Sequence, residues 1–326
     1  MGAQKQMTKS ILITGGLGYV GGRVAEWLSK NSDFNIVVTS RKPESADLPG
    51  WLSKNQCIKL DVLNDNEIIN ACKNIDIIIH LAALNEIDSA HDPERALLIN
   101  SLGTLKLLKS AKMAGVKRFI YFSTAHIYRS PLKGTLSETT LPRPVHPYAI
   151  SHRTAEDCVL AMNFQKEMQG IVLRLSNSIG APINAQVNRW SLVGNDLCRQ
   201  AITNHTMHLK TSGIQKRDFI ALPDVARAVN HIIELPETLI DNGIFNLGGE
   251  NSLSVYELAL KIQKRCKLTS GFAPSILRPT SIKGEKSEPF KYSIEKLKST
   301  GFFLEGNLDQ EIDNTLMFCK KHFTES

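Results

Sequence analysis

Apolar residues in this chain fall into short unbroken runs set between longer stretches of helical spacing. Ile11–Ile13, Asn35–Thr39, Cys57–Leu60, Ile75–Leu81, Phe119–Phe122 and Ile171–Leu175 are the runs. A run without polar alternation predicts a strand covered on both faces. Val24–Leu28 has helical spacing. So has Glu94–Ala114, with Leu97, Leu98, Leu102, Leu105 and Leu108 on one predicted stripe and Gly115 as its stop. Ser130–Pro147 holds four prolines and reads as a loop, after which Tyr148 opens a helix to about Gln169. Strand alternating with helix predicts an α/β fold, a doubly wound parallel sheet.

Beyond Ile171–Leu175, residues 178–216 read as irregular apart from a helical pattern over Leu192–Ile202. Arg217–Ile220 and Ile244–Leu247 read as returns to the sheet. Pro223-Asp224 opens a helix through Glu234 with Asp224 as N-cap. Ser254 and Glu257 form a capping box before a helix to Cys266, and a last helix covers Leu308–Lys320.

The first run leads into Thr14-Gly15-Gly16-Leu17-Gly18-Tyr19-Val20-Gly21. Strand, glycine turn and helix make a Rossmann-type phosphate site. One glycine allows the turn, one lets a pyrophosphate approach the backbone, and one lets helix and strand pack closely. The spacing G-x-x-G-x-x-G differs from the commoner G-x-G-x-x-G. Phosphates then lie at the helix N-terminus, beside Gly15, Gly18, Tyr19 and Val20. Ligands in such a sheet lie outside the carboxyl ends of the strands, where Gly15, Ser40, Asp61-Val62, Leu81-Ala82-Ala83 and Thr124 fall. No acidic residue ends the second run. Ser40, Arg41 and Lys42 stand there instead, which favours the 2′-phosphate of NADP(H) over NAD(H).

Charge changes this picture little. The chain has 326 residues, 39 Lys plus Arg against 32 Asp plus Glu, and a net charge of +7 spread without a basic tract. That suits anionic small molecules. No nucleic-acid motif and no metal-ligand spacing is present, and no apolar run approaches membrane-spanning length. Six scattered cysteines and a polar Met1–Lys9, read as a disordered start, point to a reducing, cytoplasmic setting.

In order and spacing these segments resemble the extended short-chain dehydrogenase/reductase family, in its nucleotide-sugar epimerase/dehydratase branch, which includes UDP-glucose 4-epimerase. The glycine turn, His80-Leu81-Ala82-Ala83 and Asn100 with Gly103-Thr104 carry the resemblance. So do Phe122–Tyr128, Pro147-Tyr148, Leu173–Asn177, Arg217-Asp218-Phe219 with Asp224-Val225-Ala226, and Phe245–Gly248. The resemblance implies a cofactor domain over 1–175, its sheet completed by 217–248. A smaller C-terminal α/β substrate lobe would comprise 176–216 and 249–326. It implies that Thr124 hydrogen-bonds the reacting sugar oxygen and that Tyr148 is the acid/base. Asn85, His126, Asn177 and Arg217 would contact a nucleotide-sugar substrate. A homodimer through the helices from Glu94 and Tyr148 is also implied.

The family's Tyr-x-x-x-Lys is here Tyr148-Ala149-Ile150-Ser151-His152. The resemblance implies that the lysine supplies a positive charge to the tyrosine and holds the nicotinamide ribose. His152 shares a helix face with Tyr148 and can still donate one hydrogen bond to that ribose, but it is mostly neutral near pH 7. If it supplies the missing charge, the working range is mildly acidic; otherwise another group compensates or redox chemistry is weakened. The expected function is an NAD(P)-dependent epimerase of a nucleotide-activated sugar. An NADPH-dependent 4-keto-sugar reductase and a weakened, cofactor-binding homologue are the alternatives. Ser123–His126 lacks the Asp-Glu pair of the dehydratases. Asn85 replaces a lysine common in UDP-glucose 4-epimerases, which counts against that particular activity.

Overall fold

The computed structural model describes residues 8–46, 48–280 and 285–324. The expectation for Met1–Lys9 falls mainly on residues 1–7, outside the described residues. The chain runs β1 (Ser10–Thr14), α1 (Tyr19–Asn31), β2 (Asn35–Ser40), β3 (Cys57–Lys59), α2 (Asp65–Ala71), β4 (Ile77–His80) and α3 (Glu86–His91). Next, α4 (Pro93–Ala96), a π-helical stretch Leu97–Gly103 and α5 (Thr104–Met113) run on as one rod. Then come β5 (Arg118–Thr124), β6 (Gly134–Leu136), α6 (Pro147–Phe164), β7 (Gln169–Leu175), β8 (Asn177–Ile179), α7 (Val193–Thr203), β9 (Thr206–His208), β10 (Lys216–Ala221) and α8 (Leu222–Glu234). The chain ends with β11 (Ile244–Leu247), β12 (Asn251–Ser254), α9 (Val255–Ser270), β13 (Ser275–Leu277), β14 (Phe290–Tyr292), α10 (Glu295–Ser299) and α11 (Leu308–Phe323).

Seven parallel strands form the main sheet in the order β11-β7-β5-β4-β1-β2-β3. Apolar clusters cover both faces, one under α1 and α8 and one under α5 and α6, so the strands read as unbroken apolar runs. The order reverses beside β1, where the chain winds first toward β2 and then toward β4. That switch point opens a crevice at the carboxyl ends of the strands. A third cluster, built by α7, α9 and α11, fills the smaller lobe.

Four details differ from the sequence expectation. Arg217–Ile220 does not return to the main sheet. It lies in β10 of a separate three-stranded sheet, β12-β10-β8. The reason is a turn just after β7. Asp218 Oδ1 accepts from the Ser176 hydroxyl at 2.6 Å and from the Gly249 N–H at 2.8 Å, and Asn177 Nδ2 donates to the Asp218 carbonyl at 3.0 Å. Those bonds draw the chain away from β7. Asp224 is not an N-cap, because the helix already starts at Leu222. Its carboxylate accepts the N–H groups of Glu305 and Gly306 at 3.0 and 2.9 Å. Leu97, Leu98 and Leu102 face outward, because the π turns shift the stripe off the core. The helix from Tyr148 ends at Phe164, since Gln169 already belongs to β7.

Arg174 on β7 holds α6 in place. Its Nε and Nη2 donate to the Glu156 carboxylate at 3.0 and 2.9 Å and its Nη1 to the Tyr128 hydroxyl at 2.9 Å, all buried. The smaller lobe is tied to α1. Arg23 Nη1 donates to the Ala181 carbonyl at 2.7 Å and Nη2 pairs with Glu311 at 3.3 Å.

Candidate functional site

The crevice is a groove of about 870 Å³ between sheet and smaller lobe. Its floor is the glycine turn. Gly15 has φ +68°, open to glycine at little cost, and a Cβ there would stand 3.0 Å from the Ala82 N. A Cβ on Gly21 would meet the Gly15 carbonyl oxygen at 2.3 Å. The N-cap, Gly18, has no side chain to occupy the first N–H groups of α1, and no acidic residue stands in that turn. Free N–H groups at a positive helix end, under a floor stripped of Cβ atoms, fit a pyrophosphate. Val20 lines the floor. Tyr19 does too, but its buried hydroxyl donates to Asn195 Oδ1 at 3.2 Å and so ties the lobes together.

Beside the turn, a buried chain of bonds sets the end of β4. Thr104 Oγ1 donates to the Asn100 carbonyl at 2.6 Å, so it accepts from His80 Nε2 at 2.9 Å. His80 Nδ1 is then left to accept from Thr14 Oγ1 at 2.6 Å. Burial, with His152 nearby, drives the His80 pKa down to about 3, in keeping with this neutral tautomer. Thr14 Oγ1 accepts the Leu81 and Ala82 N–H groups, each at 3.2 Å, which lays Leu81-Ala82-Ala83 along the groove. Asn100, on the π stretch, accepts the Leu84 N–H at 2.6 Å and donates to Ser151 Oγ at 3.0 Å. Ser151 Oγ donates to the Tyr148 carbonyl at 2.9 Å. One network thus joins β1, β4, the π stretch and the first turn of α6.

Tyr148 stands at that first turn, after Pro147, with His146 as N-cap accepting the Tyr148 N–H on Nδ1 at 3.2 Å. The phenol is half-buried and lines the groove. Burial pushes its pKa up to about 12; Arg189 opposes the rise and Glu86 adds to it. Its ring meets the His152 ring edge-on, centroids 4.4 Å apart. His152 is 2% exposed. Burial drives its pKa down to about 4, against a smaller opposing contribution from the Phe122 backbone. Neutral His152 therefore supplies no charge in the mildly acidic range, contrary to the first of the three alternatives read from the sequence.

Thr124 ends β5 and caps the turn Ala125–Ile127, accepting the His126 N–H at 3.2 Å. Its own hydroxyl proton has no partner among the described residues. Ser123 Oγ next to it is buried without a partner among the described residues. His126 opens onto the groove; desolvation by the surrounding wall, then Arg217 and His146, lower its pKa against Glu86. Arg217, half-buried on β10, has no ion pair among the described residues, and burial lowers its pKa. Asn177 lines the groove from β8. Asn85 does as well, but its Oδ1 caps α3 by accepting the Ile87 and Asp88 N–H groups at 2.9 and 3.0 Å.

The structure thus brings together Gly15, Gly18, Tyr19, Val20, Leu81, Ala82, Ala83, Asn85, Thr124, His126, Tyr148, His152, Asn177 and Arg217 on one groove. Ser40, Arg41, Lys42, Asp61 and Val62 are not in its wall. Ser40 Oγ accepts the Lys42 N–H, Arg41 and Lys42 are exposed, Asp61 Oδ1 accepts the Leu63 N–H at 2.9 Å, and Val62 packs against Gly103. Sequence reasoning missed Ser123, His146 and the Glu86–Arg189 pair, 3.1 Å apart, which bridges the groove from α3 to the smaller lobe. His146 carried one signal, its place just before Pro147-Tyr148. Arg189 carried none. No group of His, Cys, Asp or Glu among the described residues is arranged to hold a metal ion.

Known proteins resemble this chain in sequence and in fold. The model of the NAD dependent epimerase/dehydratase family matches residues 11–248. A dTDP-D-glucose 4,6-dehydratase of Mus musculus is 25% identical over 338 residues, covering 99% of this chain and 92% of that protein. A UDP-glucose 4-epimerase of Rhizobium meliloti is 26% identical over 276 residues, covering 79% of this chain and 82% of its own. Among solved structures, RMD from Pseudomonas aeruginosa complexed with NADPH superposes with a TM-score of 0.77 at 22% identity, over 98% of this chain and 99% of that one.

Proposed function

This chain belongs to the NAD dependent epimerase/dehydratase family, and from that premise we propose an NAD(P)-dependent epimerase of a nucleotide-activated sugar. The observation that carries the reading is the placing of the Tyr148 phenol, the Thr124 hydroxyl and the glycine floor on one groove. When bound, the nicotinamide supplies hydride exchange with a sugar carbon. Thr124 has a free proton with which to orient the reacting sugar oxygen, and Tyr148 exchanges a proton with that oxygen. Arg217, a desolvated cation without a counter-ion among the described residues, suits the diphosphate, because its guanidinium can fork across two oxygens. The strand end Thr124-Ala125-His126 offers no carboxylate, which argues against water elimination despite the dehydratase relative.

A second reading, a 4-keto-sugar reductase drawing on NADPH, is favoured by two observations. Arg41 and Lys42 are exposed at the end of β2. Tyr148, with a pKa near 12, keeps its proton at neutral pH and is therefore ready to donate to a carbonyl oxygen. Purified protein with oxidised NAD(P) or with NADPH, and a panel of sugar nucleotides that includes 4-keto sugars, separates the readings. Isomerised sugar with the oxidised coenzyme and no net change in it supports the epimerase, and stoichiometric NADPH loss on a 4-keto sugar the reductase. Binding without turnover overturns both.

We also propose a homodimer. Leu97, Leu98, Leu102 and Leu105 line a shallow apolar groove with Thr154 and Cys158 of α6, on the two helices through which the family resemblance implies pairing. All six cysteines are free, as suits a reducing cytoplasm.

A further inference from the structure

His152 is not free to choose which nitrogen carries its proton. Its Nδ1 lies 2.7 Å from the Tyr121 hydroxyl, and both residues are buried. Tyr121 reaches across from β5 and has no other hydrogen-bond partner among the described residues. Burial holds the Tyr121 phenol protonated, well above its ordinary pKa. Nδ1 is the one acceptor within reach of the Tyr121 proton among the described residues, so the hydroxyl donates, Nδ1 accepts, and the one ring proton of neutral imidazole sits on Nε2. That Nε2 is a buried polar atom without a hydrogen-bond partner at normal distance among the described residues, on a residue that forms part of the groove wall and that also feels the Phe122 backbone. The titratable groups around the ring are Tyr121 on β5, His80 on β4 and Tyr148 on its own helix. All three are neutral near pH 7. Glu156, one turn further along α6, is satisfied by Arg174.

We propose that Tyr121 is a positioning residue that locks His152 as a neutral Nε2–H donor, so that the groove wall at position 152 meets a bound dinucleotide with a dipole and no charge. This rests on the dinucleotide reading above. Its consequence is a binding preference. An oxidised nicotinamide carries a positive ring and a reduced one does not. A cation at position 152 would repel the first and leave the second nearly untouched, whereas a neutral imidazole treats the two more evenly.

The test has two parts. Nitrogen-15 NMR of the full chain without cofactor at pH 7 reads the tautomer directly. The wild type should show His152 as Nε2–H alone. Tyr121→Phe should give a mixture of tautomers while the signals of the remaining histidines stay in place. An imidazolium or Nδ1–H tautomer in the wild type, or a His152 signal untouched by Tyr121→Phe, overturns the proposal. The second part needs no Tyr121 variant. Calorimetric titration should give His152→Lys a ratio of oxidised to reduced Kd about tenfold above the wild type. For a two-electron couple that is about 30 mV. An unchanged or lower ratio overturns the charge-free wall. Should the wild type bind neither coenzyme form, the dinucleotide reading falls, and the NMR result still decides the lock.

Discussion

His152→Gln tests the burial of a neutral imidazole through the stability of the whole chain. Glutamine keeps an amide N–H close to where the imidazole has Nε2, and it does not titrate. In the wild type the unfolded chain takes up a proton on His152 as the pH falls through 6.5, its ordinary value, whereas the folded chain takes it up only near 4. Between those values the unfolded state binds more protons, so the wild type loses stability as the pH drops through that window and is level above it. A gap of roughly 2.5 units is worth about 3 kcal/mol at 1.36 kcal/mol per unit. The variant lacks this contribution but keeps every other titrating group, including His80. The stability difference between the two proteins, measured by urea unfolding at a series of pH values, should therefore move by about 3 kcal/mol in favour of the variant from pH 7 to pH 4. A difference that stays constant across that range would mean that His152 titrates normally in the folded chain, and the account of a neutral groove wall would fail with it.

Other expectations follow from the same groove. His152→Lys places a cation beside the Tyr148 ring; at about 5 Å and an effective dielectric of about 20 the attraction is about 3 kcal/mol. The phenol should then titrate about two units lower, read from phenolate absorbance, and an unmoved titration would remove the charge argument. Arg217→Ala should weaken sugar-nucleotide binding about tenfold to hundredfold, the worth of a charge-assisted bidentate contact. Its Tm should not fall, because the guanidinium has no partner to lose among the described residues; a large drop in Tm would assign Arg217 to the fold. Arg41→Ala should weaken NADP(H) far more than NAD(H) in titrations, and equal losses would disconnect the end of β2 from the 2′-phosphate. Leu98→Asp should convert a dimer to a monomer in sedimentation velocity without loss of helical signal, and an unaltered sedimentation coefficient would clear that face of any role in pairing.

The glycine turn and the sheet strands were legible because their causes are local. Only glycine fits where a Cβ would lie 2.3 Å from a carbonyl oxygen. Strands covered on both faces have no polar alternation to blur them. Tyr148 and His152 share a face by helical geometry alone. What stayed hidden depends on partners far along the chain. Arg217–Ile220 reads as a strand but does not announce its neighbour, and the Asp218 carboxylate binds Ser176 and Gly249, residues far from it in sequence. The pairing of His152 with Tyr121 spans 31 positions and places the imidazole in a setting that its reference pKa does not describe. The Glu86–Arg189 bridge spans 103 positions and joins the start of α3 to a loop of the smaller lobe.

The widened turns over Leu97–Gly103 bear on how this sequence can change its length. The wider turns take up one extra residue in nearly the same rotation, so dropping one residue there would restore a plain helix with both halves of the rod facing much as before, while the side chains inside the stretch would change direction. Asn100 would leave the Leu84 amide and Ser151 together, and the loop after β4 would lose its anchor. The outward leucines can be exchanged one for another at small cost, whereas a deletion of a single codon in that stretch would unseat the whole rim of the crevice.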